Sequence, residues 1–149
     1  MGKLSFSVAK WIASMELLKA LDGYKEGDSL VRYVYGETTQ LKITRNLLRI
    51  EKALGEYEQA RIKRIKDLGV EGMRAGDPDN KPEDNLKIKA YLEAVNEMQK
   101  EEVELVLTDL TLKELQLEKN NIPRVVLASL AFIIPELEAG DKDEGVSHA

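Results

Sequence analysis

The sequence predicts a helix-dominated α+β fold, in which a long antiparallel helical hairpin is accompanied by one or two short strands and a buried C-terminal helix. Apolar residues recur at spacings of three and four over much of the first hundred residues, which is the period of an amphipathic helix. One later segment alternates apolar and polar residues, which is the period of a strand. With 149 residues, 43% of them hydrophobic, the chain predicts a single globular domain over residues 1–139.

The first helix is predicted over residues 7–21, because its apolar side chains fall on one helical face. Either Ser5 or Ser7 can cap it. That face consists of Val8, Trp11, Ile12, Met15, Leu18 and Leu21. The following residues, 24–36, have the composition of a connector, although Leu30–Tyr35 is rich enough in β-branched and aromatic residues to favour a short strand.

A long second helix is predicted over residues 38–68, where the apolar period is strongest. Its stripe consists of Ile43, Leu47, Ile50, Leu54, Tyr57, Ile65 and Leu68. Gly55 lies inside it at a cost of about 1 kcal/mol relative to alanine, and Gly69 has the position of a C-cap. The Gly/Pro-rich residues 69–82 then predict an exposed loop.

The third helix is predicted from Pro82 to Gln99, since proline suits the first helical position. Its apolar positions are Leu86, Ile88, Tyr91, Leu92, Val95 and Met98. Two helices that flank a polar loop most simply form an antiparallel hairpin. A strand is predicted next, because Val103, Leu105 and Leu107 alternate with other residues.

The C-terminal part of the chain is less regular. Residues 111–121 suit either a short helix or an extended stretch. Pro123 opens a final helix that is apolar on nearly all sides, so we expect it to be the most buried segment, and Pro135 ends or kinks it. Residues 140–149 form an acidic stretch with few apolar side chains, which predicts a flexible tail.

Composition excludes several classes of function. The sequence contains no cysteine and a single histidine, His148. This rules out disulfide frameworks, zinc ribbons, iron–sulfur clusters and cysteine nucleophiles, and it argues against histidine-based catalysis. We therefore expect no cofactor and no metal. No apolar run is long enough to cross a bilayer and no export signal is recognisable, so we expect no membrane association and synthesis in the cytoplasm.

Two short motifs resemble functional signatures but lack essential parts. Gly27–Leu30 spells the signature of a family of serine esterases, yet polar residues precede it and no aspartate accompanies His148 at the required spacing, so a turn is the better interpretation. Asp77–Pro82 has two oxygen ligands of a calcium loop but carries lysine and proline where the loop needs an oxygen and a glycine. An enzyme that uses carboxylates alone stays open, because clustering in three dimensions cannot be read from a sequence.

A basic stripe along the long helix supplies the candidate binding residues, Arg45, Arg49, Arg61 and Arg64. Residues 1–69 carry 13 Lys and Arg against 9 Asp and Glu, whereas residues 70–149 carry 9 against 18. The stripe could bind a nucleic acid or nucleotide. Its interleaved glutamates and the net charge of -5 favour a solvated, salt-bridged face, or pairing with the acidic third helix or a protein partner.

The order of these features over residues 10–138 resembles a family of small tailed-bacteriophage proteins of unassigned function. The phrases that carry the resemblance are Glu16–Leu21, Ile50–Leu54, Glu56–Arg61, Glu102–Leu105 and Ile122-Pro123. The connector at residues 24–36 and the loop at residues 69–82 depart from that family. The resemblance implies a phage gene product that acts through protein contacts, in the host cytoplasm or in the virion.

We therefore expect a non-enzymatic phage accessory or structural protein that serves virion morphogenesis or assembly through protein–protein contacts. A homo-oligomer fits this expectation. The alternative is an inhibitor or regulator that binds a host enzyme, a nucleic acid or a signalling nucleotide through the basic stripe.

Overall fold

The structure, a computed structural model, describes residues 2–137 and confirms the helix-dominated α+β fold. Its helices are α1 (Val8–Lys19), α2 (Glu37–Ala53), α3 (Gly55–Leu68), α4 (Pro82–Gln99) and α5 (Arg124–Ser129). Its strands are β1 (Lys3–Ser7), β2 (Gly23–Glu26), β3 (Ser29–Arg32) and β4 (Glu102–Val106). The predicted acidic tail, residues 140–149, lies outside the described residues.

The predicted helices at residues 7–21 and at Pro82–Gln99 are confirmed as α1 and α4. The predicted strand that contains Val103 and Leu105 is confirmed as β4. Ser7 caps α1, since its side-chain oxygen accepts a hydrogen bond from the backbone N–H of Lys10. Gly69 caps α3 in the left-handed conformation, with φ of 67°, which a residue with a Cβ rarely adopts. Pro82 stands at the start of α4 as predicted.

The strands form two separate antiparallel pairs. β1 lies beside β4, with Lys3 opposite Val106 and Ser7 opposite Glu102. β2 and β3 form a hairpin whose turn contains Gly27 in the left-handed region. The Gly27–Leu30 motif therefore lies in this hairpin, as the turn interpretation predicts.

The prediction of one or two strands is too low, because residues 2–137 contain four strands, of which β1 and β2 were not predicted. β1 is only five residues long and offers two inward apolar side chains, Leu4 and Phe6. In β2 every residue but Gly23 is exposed, so no apolar alternation marks it. The predicted strand at Leu30–Tyr35 is displaced, since β3 ends at Arg32.

The prediction of one continuous helix over residues 38–68 is wrong, because α2 ends at Ala53 and α3 begins at Gly55. Leu54 between them keeps right-handed torsion angles. Hydrogen bonds cross it on both sides, from its own N–H to the Ile50 carbonyl and from the Glu58 N–H to the Leu54 carbonyl. The junction is thus a local bend at glycine, where the backbone has most freedom.

The prediction of a buried C-terminal helix is also wrong. α5 has only six residues and none of them is buried; Val125 is 75% exposed. The buried apolar side chains, Leu130, Ile133 and Ile134, lie in the turns that follow α5. Pro135 disfavours helical torsion angles at the residue before it, so the helix cannot run on through Ile134. Residues 135–137 are helical again, after this interruption.

The core lies between α1, α2, the β1–β4 sheet and the C-terminal turns. Its centre is Trp11, which is fully buried and whose indole N–H donates to the Val103 carbonyl at 2.8 Å. The rings of Phe6 and Phe132 lie against it, with centroids at 4.7 and 6.5 Å. The other fully buried apolar side chains are Leu18, Leu21, Ile50, Leu107, Leu110, Leu115, Leu130, Ile133 and Ile134.

Two buried asparagines join distant segments through backbone hydrogen bonds. Asn46 of α2 donates to the Thr108 carbonyl at 2.9 Å and accepts from the Thr108 N–H at 2.8 Å. Asn120 does the same for Val34, at 2.7 and 2.8 Å. Each amide supplies both a donor and an acceptor to a backbone segment that would otherwise end without a strand partner.

We expect Asn46→Leu to lower the free energy of unfolding by about 1–3 kcal/mol, because it removes the partners of the partly buried N–H and carbonyl of Thr108. Urea denaturation followed by circular dichroism measures the loss. Thr44→Leu, on an exposed position of the same helix, is the control and should change stability by less than about 0.5 kcal/mol. Equal losses in the two variants would contradict this role for Asn46.

Candidate functional site

The most distinctive surface belongs to a helical arm, which we define as residues 55–99. It consists of α3, the loop at residues 69–81 and α4, which packs against α3. α3 has fourteen residues and none of them is buried. The main core includes only the partly buried Tyr57 from this helix. The arm is therefore held mainly by contacts between its own two helices.

Two side-chain hydrogen bonds connect the two helices of the arm. The Arg61 guanidinium donates to the Tyr91 hydroxyl at 3.2 Å, and the Gln99 amide donates to the Tyr57 hydroxyl at 2.9 Å. Near the tip, Val70 and Ile88 are buried but do not belong to the main core. These contacts fix α4 beside α3 and leave much of both helices uncovered.

Large apolar side chains remain exposed on this arm. Ile62 of α3 is 45% exposed, and Leu86 and Leu92 of α4 are 68% and 51% exposed. Single exposed apolar residues are ordinary on protein surfaces, but the arm carries three of them where little apolar surface is buried. Their burial by another molecule would stabilise the arm.

A groove of about 540 Å³ runs along α4 beside the loop. Ala75 and Gly76 line it from the loop side. From α4 it is lined by residues spaced three and four apart, which therefore share one helical face. We call this set the α4 stripe: Asn85, Ile88, Lys89, Leu92, Glu93 and Asn96.

The four predicted binding arginines lie on two helices on either side of the bend. Arg45 and Arg64 are exposed. Arg49 donates to the Val106 carbonyl at 3.3 Å and to the Thr108 hydroxyl at 3.2 Å. Arg61 donates to both Glu58 carboxylate oxygens, at 3.0 and 3.2 Å, in addition to Tyr91. Arg49 and Arg61 thus hold elements of the fold together.

The pairing of the basic stripe with the acidic helix takes a different form from the one predicted. Within residues 2–137, the ion pairs made by basic residues of α2 and α3 join Lys42 of α2 to Glu114 at 2.8 Å and Arg61 of α3 to Glu58 at 3.0 Å. The contact of Arg61 with α4 is to the Tyr91 hydroxyl and not to a carboxylate. Glu97 of α4 instead pairs with Lys100 at 3.1 Å.

The surroundings of Glu114 favour its ionised form. Burial opposes its charge, but hydrogen bonds from the Lys42 ammonium and from Thr111 outweigh burial, so the pKa of Glu114 is lowered from its ordinary 4.5. The ion pair joins α2 to the turn after β4. Its geometry indicates a structural contact.

A second cleft, of about 630 Å³, separates the end of α2 from β4. Arg49 and Lys52 line one side. The opposite wall is residues 101–105, which contribute three glutamates, and Glu56 lies with the helical residues. Among residues 2–137, no group of three or more metal-ligating side chains is placed to hold a metal ion. The charges of the cleft are mixed, and no single ligand charge is favoured.

In the part of the chain that the structure describes, no helix is both long and apolar enough to span a membrane. Comparison with known proteins finds no protein family, curated protein or solved structure that is significantly similar to the chain.

Sequence analysis did not identify the α4 stripe as a candidate site. Ile88 and Leu92 fall on the predicted packing face of the third helix, but only Ile88, at 8% exposure, is covered. A usable signal was present, since polar residues at positions 85, 89, 93 and 96 share the face of these two apolar residues. A purely buried face would lack them.

We expect the double reversal Arg49→Glu/Arg61→Glu to lower the free energy of unfolding by about 1–2 kcal/mol, because both hydrogen-bonding sets are lost. The matched control Arg45→Glu/Arg64→Glu changes the charge equally at exposed positions and should leave stability within about 0.5 kcal/mol. Urea denaturation of the two double variants decides the matter. A larger loss in the control would show that the structural contacts are not the source of the effect.

The lowered pKa of Glu114 predicts a pH-dependent contribution to stability. A depressed carboxyl pKa stabilises the fold above the unfolded value of 4.5, and this contribution is lost as pH falls through the folded value. Glu114→Gln should therefore lower the melting temperature by a few degrees at pH 7, and the difference from the wild type should shrink below about pH 4. Thermal melts from pH 7 down to pH 2 test it, and a difference that does not shrink anywhere in this range would refute it.

Proposed function

We propose that this chain is a non-enzymatic protein that acts through protein–protein contacts, and that the helical arm is its contact surface. The observation that carries the proposal is the arm's poor coverage: α3 has no buried residue, and Ile62, Leu86 and Leu92 expose apolar side chains. Apolar surface of this kind is stabilised when a partner excludes water from it.

Hydrogen bonds also order the loop that joins the two helices of the arm. Gly69 and the N-terminal turn of α4 fix both ends of the loop, and the Asp84 carboxylate accepts from the Lys81 N–H at 3.0 Å. Within the loop, the Asn80 amide donates to the Arg74 carbonyl at 2.7 Å. A surface that is ordered before binding loses less conformational entropy on association.

The biological setting that we propose is a tailed bacteriophage. The resemblance to small phage proteins supports an accessory or structural role in virion morphogenesis or assembly, in the host cytoplasm or in the virion. The candidate partners are another phage protein, a host protein and a further copy of this chain. No cofactor is needed for such a role.

Site-specific photocrosslinking tests this proposal. A benzophenone amino acid is placed at Leu86 or Ile62 of the arm and, as a matched control, at Leu48 of α2, which is 56% exposed. The variants are expressed in cells that are then infected with a phage whose own copy of the gene is disrupted. We expect the arm positions to crosslink to one defined protein, identified by mass spectrometry, and to do so much more strongly than Leu48. Crosslinks from Leu48 alone would overturn the arm as the contact surface.

The regulator alternative keeps one supporting observation, which is the exposure of Arg45 and Arg64. A phosphate-bearing ligand would need these side chains projecting into water. Titration of the protein with short DNA, RNA and cyclic dinucleotides separates the two functions. Submicromolar, salt-sensitive binding that is lost in Arg45→Glu/Arg64→Glu without loss of folding would replace our proposal with the regulator function.

A further inference from the structure

We propose that the α4 stripe binds the same stripe of a second copy of this chain, so that two α4 helices lie antiparallel about a two-fold axis near residues 90 and 91. This inference rests on the proposed function, because it names the partner of the arm. The observations behind it are the composition of the stripe, the groove beside it and the exposure of Leu92.

The stripe has the same residue type at both ends and alternates apolar and charged residues between them. An asparagine stands at each end, at Asn85 and Asn96. Between them lie two successive pairs, each made of one large apolar residue and one charged residue. In an antiparallel arrangement about the midpoint, Asn85 of each copy lies opposite Asn96 of the other copy. Ile88 then faces Glu93 of the second copy and Lys89 faces Leu92, and each such contact occurs twice, as it must in a two-fold interface.

The charges of the stripe are complementary in this arrangement. Lys89 and Glu93 stand on opposite sides of the midpoint, one helical turn apart. The two-fold axis brings Lys89 of each copy close to Glu93 of the other and so forms two equivalent ion pairs. Within residues 2–137 the ion pairs do not include one between Lys89 and Glu93 of the same chain. A parallel arrangement would instead oppose like charges.

Apolar burial supplies the rest of the interface. Leu92 is 51% exposed and adjoins the nearly buried Ile88, and Ala75 extends the apolar surface onto the loop. In the antiparallel pair, each Leu92 approaches the aliphatic part of Lys89 of the second copy and excludes water from it. Asn85 and Asn96 meet as amides, which can both donate and accept hydrogen bonds.

The dimensions of the stripe predict a weak dimer. The stripe covers residues 85–96, which at ~1.5 Å per residue is about 17 Å of helix. Contact over this length, with part of the loop, falls at the low end of specific interfaces, so we expect a dissociation constant on the order of micromolar. The protein therefore has to be studied over a range of concentration.

Charge reversal distinguishes contact between copies from contact within one chain. Lys89→Glu leaves two carboxylates on the stripe, and Glu93→Lys leaves two ammonium groups. Each variant alone opposes like charges across the two-fold axis at both pairs and should raise the dissociation constant at least tenfold. Mixed together, the two variants present opposite charges and should form a heterodimer. Labelling one variant with nitrogen-15 lets native mass spectrometry identify the heterodimer by mass.

Sedimentation velocity over a concentration series measures the equilibria, and circular dichroism checks that each variant folds. Lys87→Glu changes the charge of the same helix at an exposed position outside the stripe and should leave the dimer intact. Leu92→Asp should make the protein monomeric. The proposal is supported only if the wild type dimerises, the single reversals weaken the dimer and their mixture restores it.

The failure of this inference can be separated from failure of the proposed function. A monomeric wild type at millimolar concentration, with crosslinks from the arm to a different protein, would overturn the dimer and leave the arm as the contact surface. A dimer that is unaffected by the charge reversals but weakened by Leu48→Asp would place self-association on α2 and overturn this inference. If crosslinks also came only from the control position Leu48, the arm would be overturned as the contact surface as well. A mixture of the reversed variants that stays monomeric would reject the antiparallel pairing.

Discussion

The fold depends on the burial of Trp11 and its hydrogen bond to the Val103 carbonyl. A two-stranded sheet is only marginally stable on its own, so β1 and β4 need a helix packed against one face. Trp11 meets this need from α1, since its ring fills the space beside Phe6 and Phe132 while its N–H binds the backbone of β4. The strands it joins are almost a hundred residues apart in sequence. Every element between them is thereby confined to a closed loop.

The course of that loop explains why the arm is uncovered. α2 continues the core through Ile43 and Ile50 and is fastened to the end of β4 by Asn46. Burial then stops at Leu54, where the helix bends. Beyond this point the chain must travel out along α3 and return along α4 before it can enter β4. The arm thus closes a long connection, and its stability comes from local contacts more than from the core.

Periodicity in the sequence predicted α1, α4 and β4 because each has enough apolar residues to define a face. It failed where few residues carried the pattern: β1 has only Leu4 and Phe6 directed inward, and β2 has no buried side chain. It also ran two helices together, since the apolar stripe continues across Gly55 while the backbone bends there. The apolar run after Pro123 correctly indicated buried side chains but not their conformation, because α5 ends at Ser129 and the buried Leu130, Ile133 and Ile134 follow it.

The candidate site illustrates a second limit of sequence patterns. A helical period shows which side chains share a face, but it does not show whether that face is covered within the chain. Arg49 and Arg61 have the same spacing pattern as Arg45 and Arg64, yet Arg49 and Arg61 donate to other elements of the fold. Exposure does not mark this difference, since Arg49 is exposed like Arg45 and Arg64. Likewise Ile88 and Leu92 share one face of α4, and the loop covers Ile88 more completely than Leu92. This face of α4 mixes apolar residues with charges of both signs and has no complete partner among residues 2–137, so its own composition describes what would complement it.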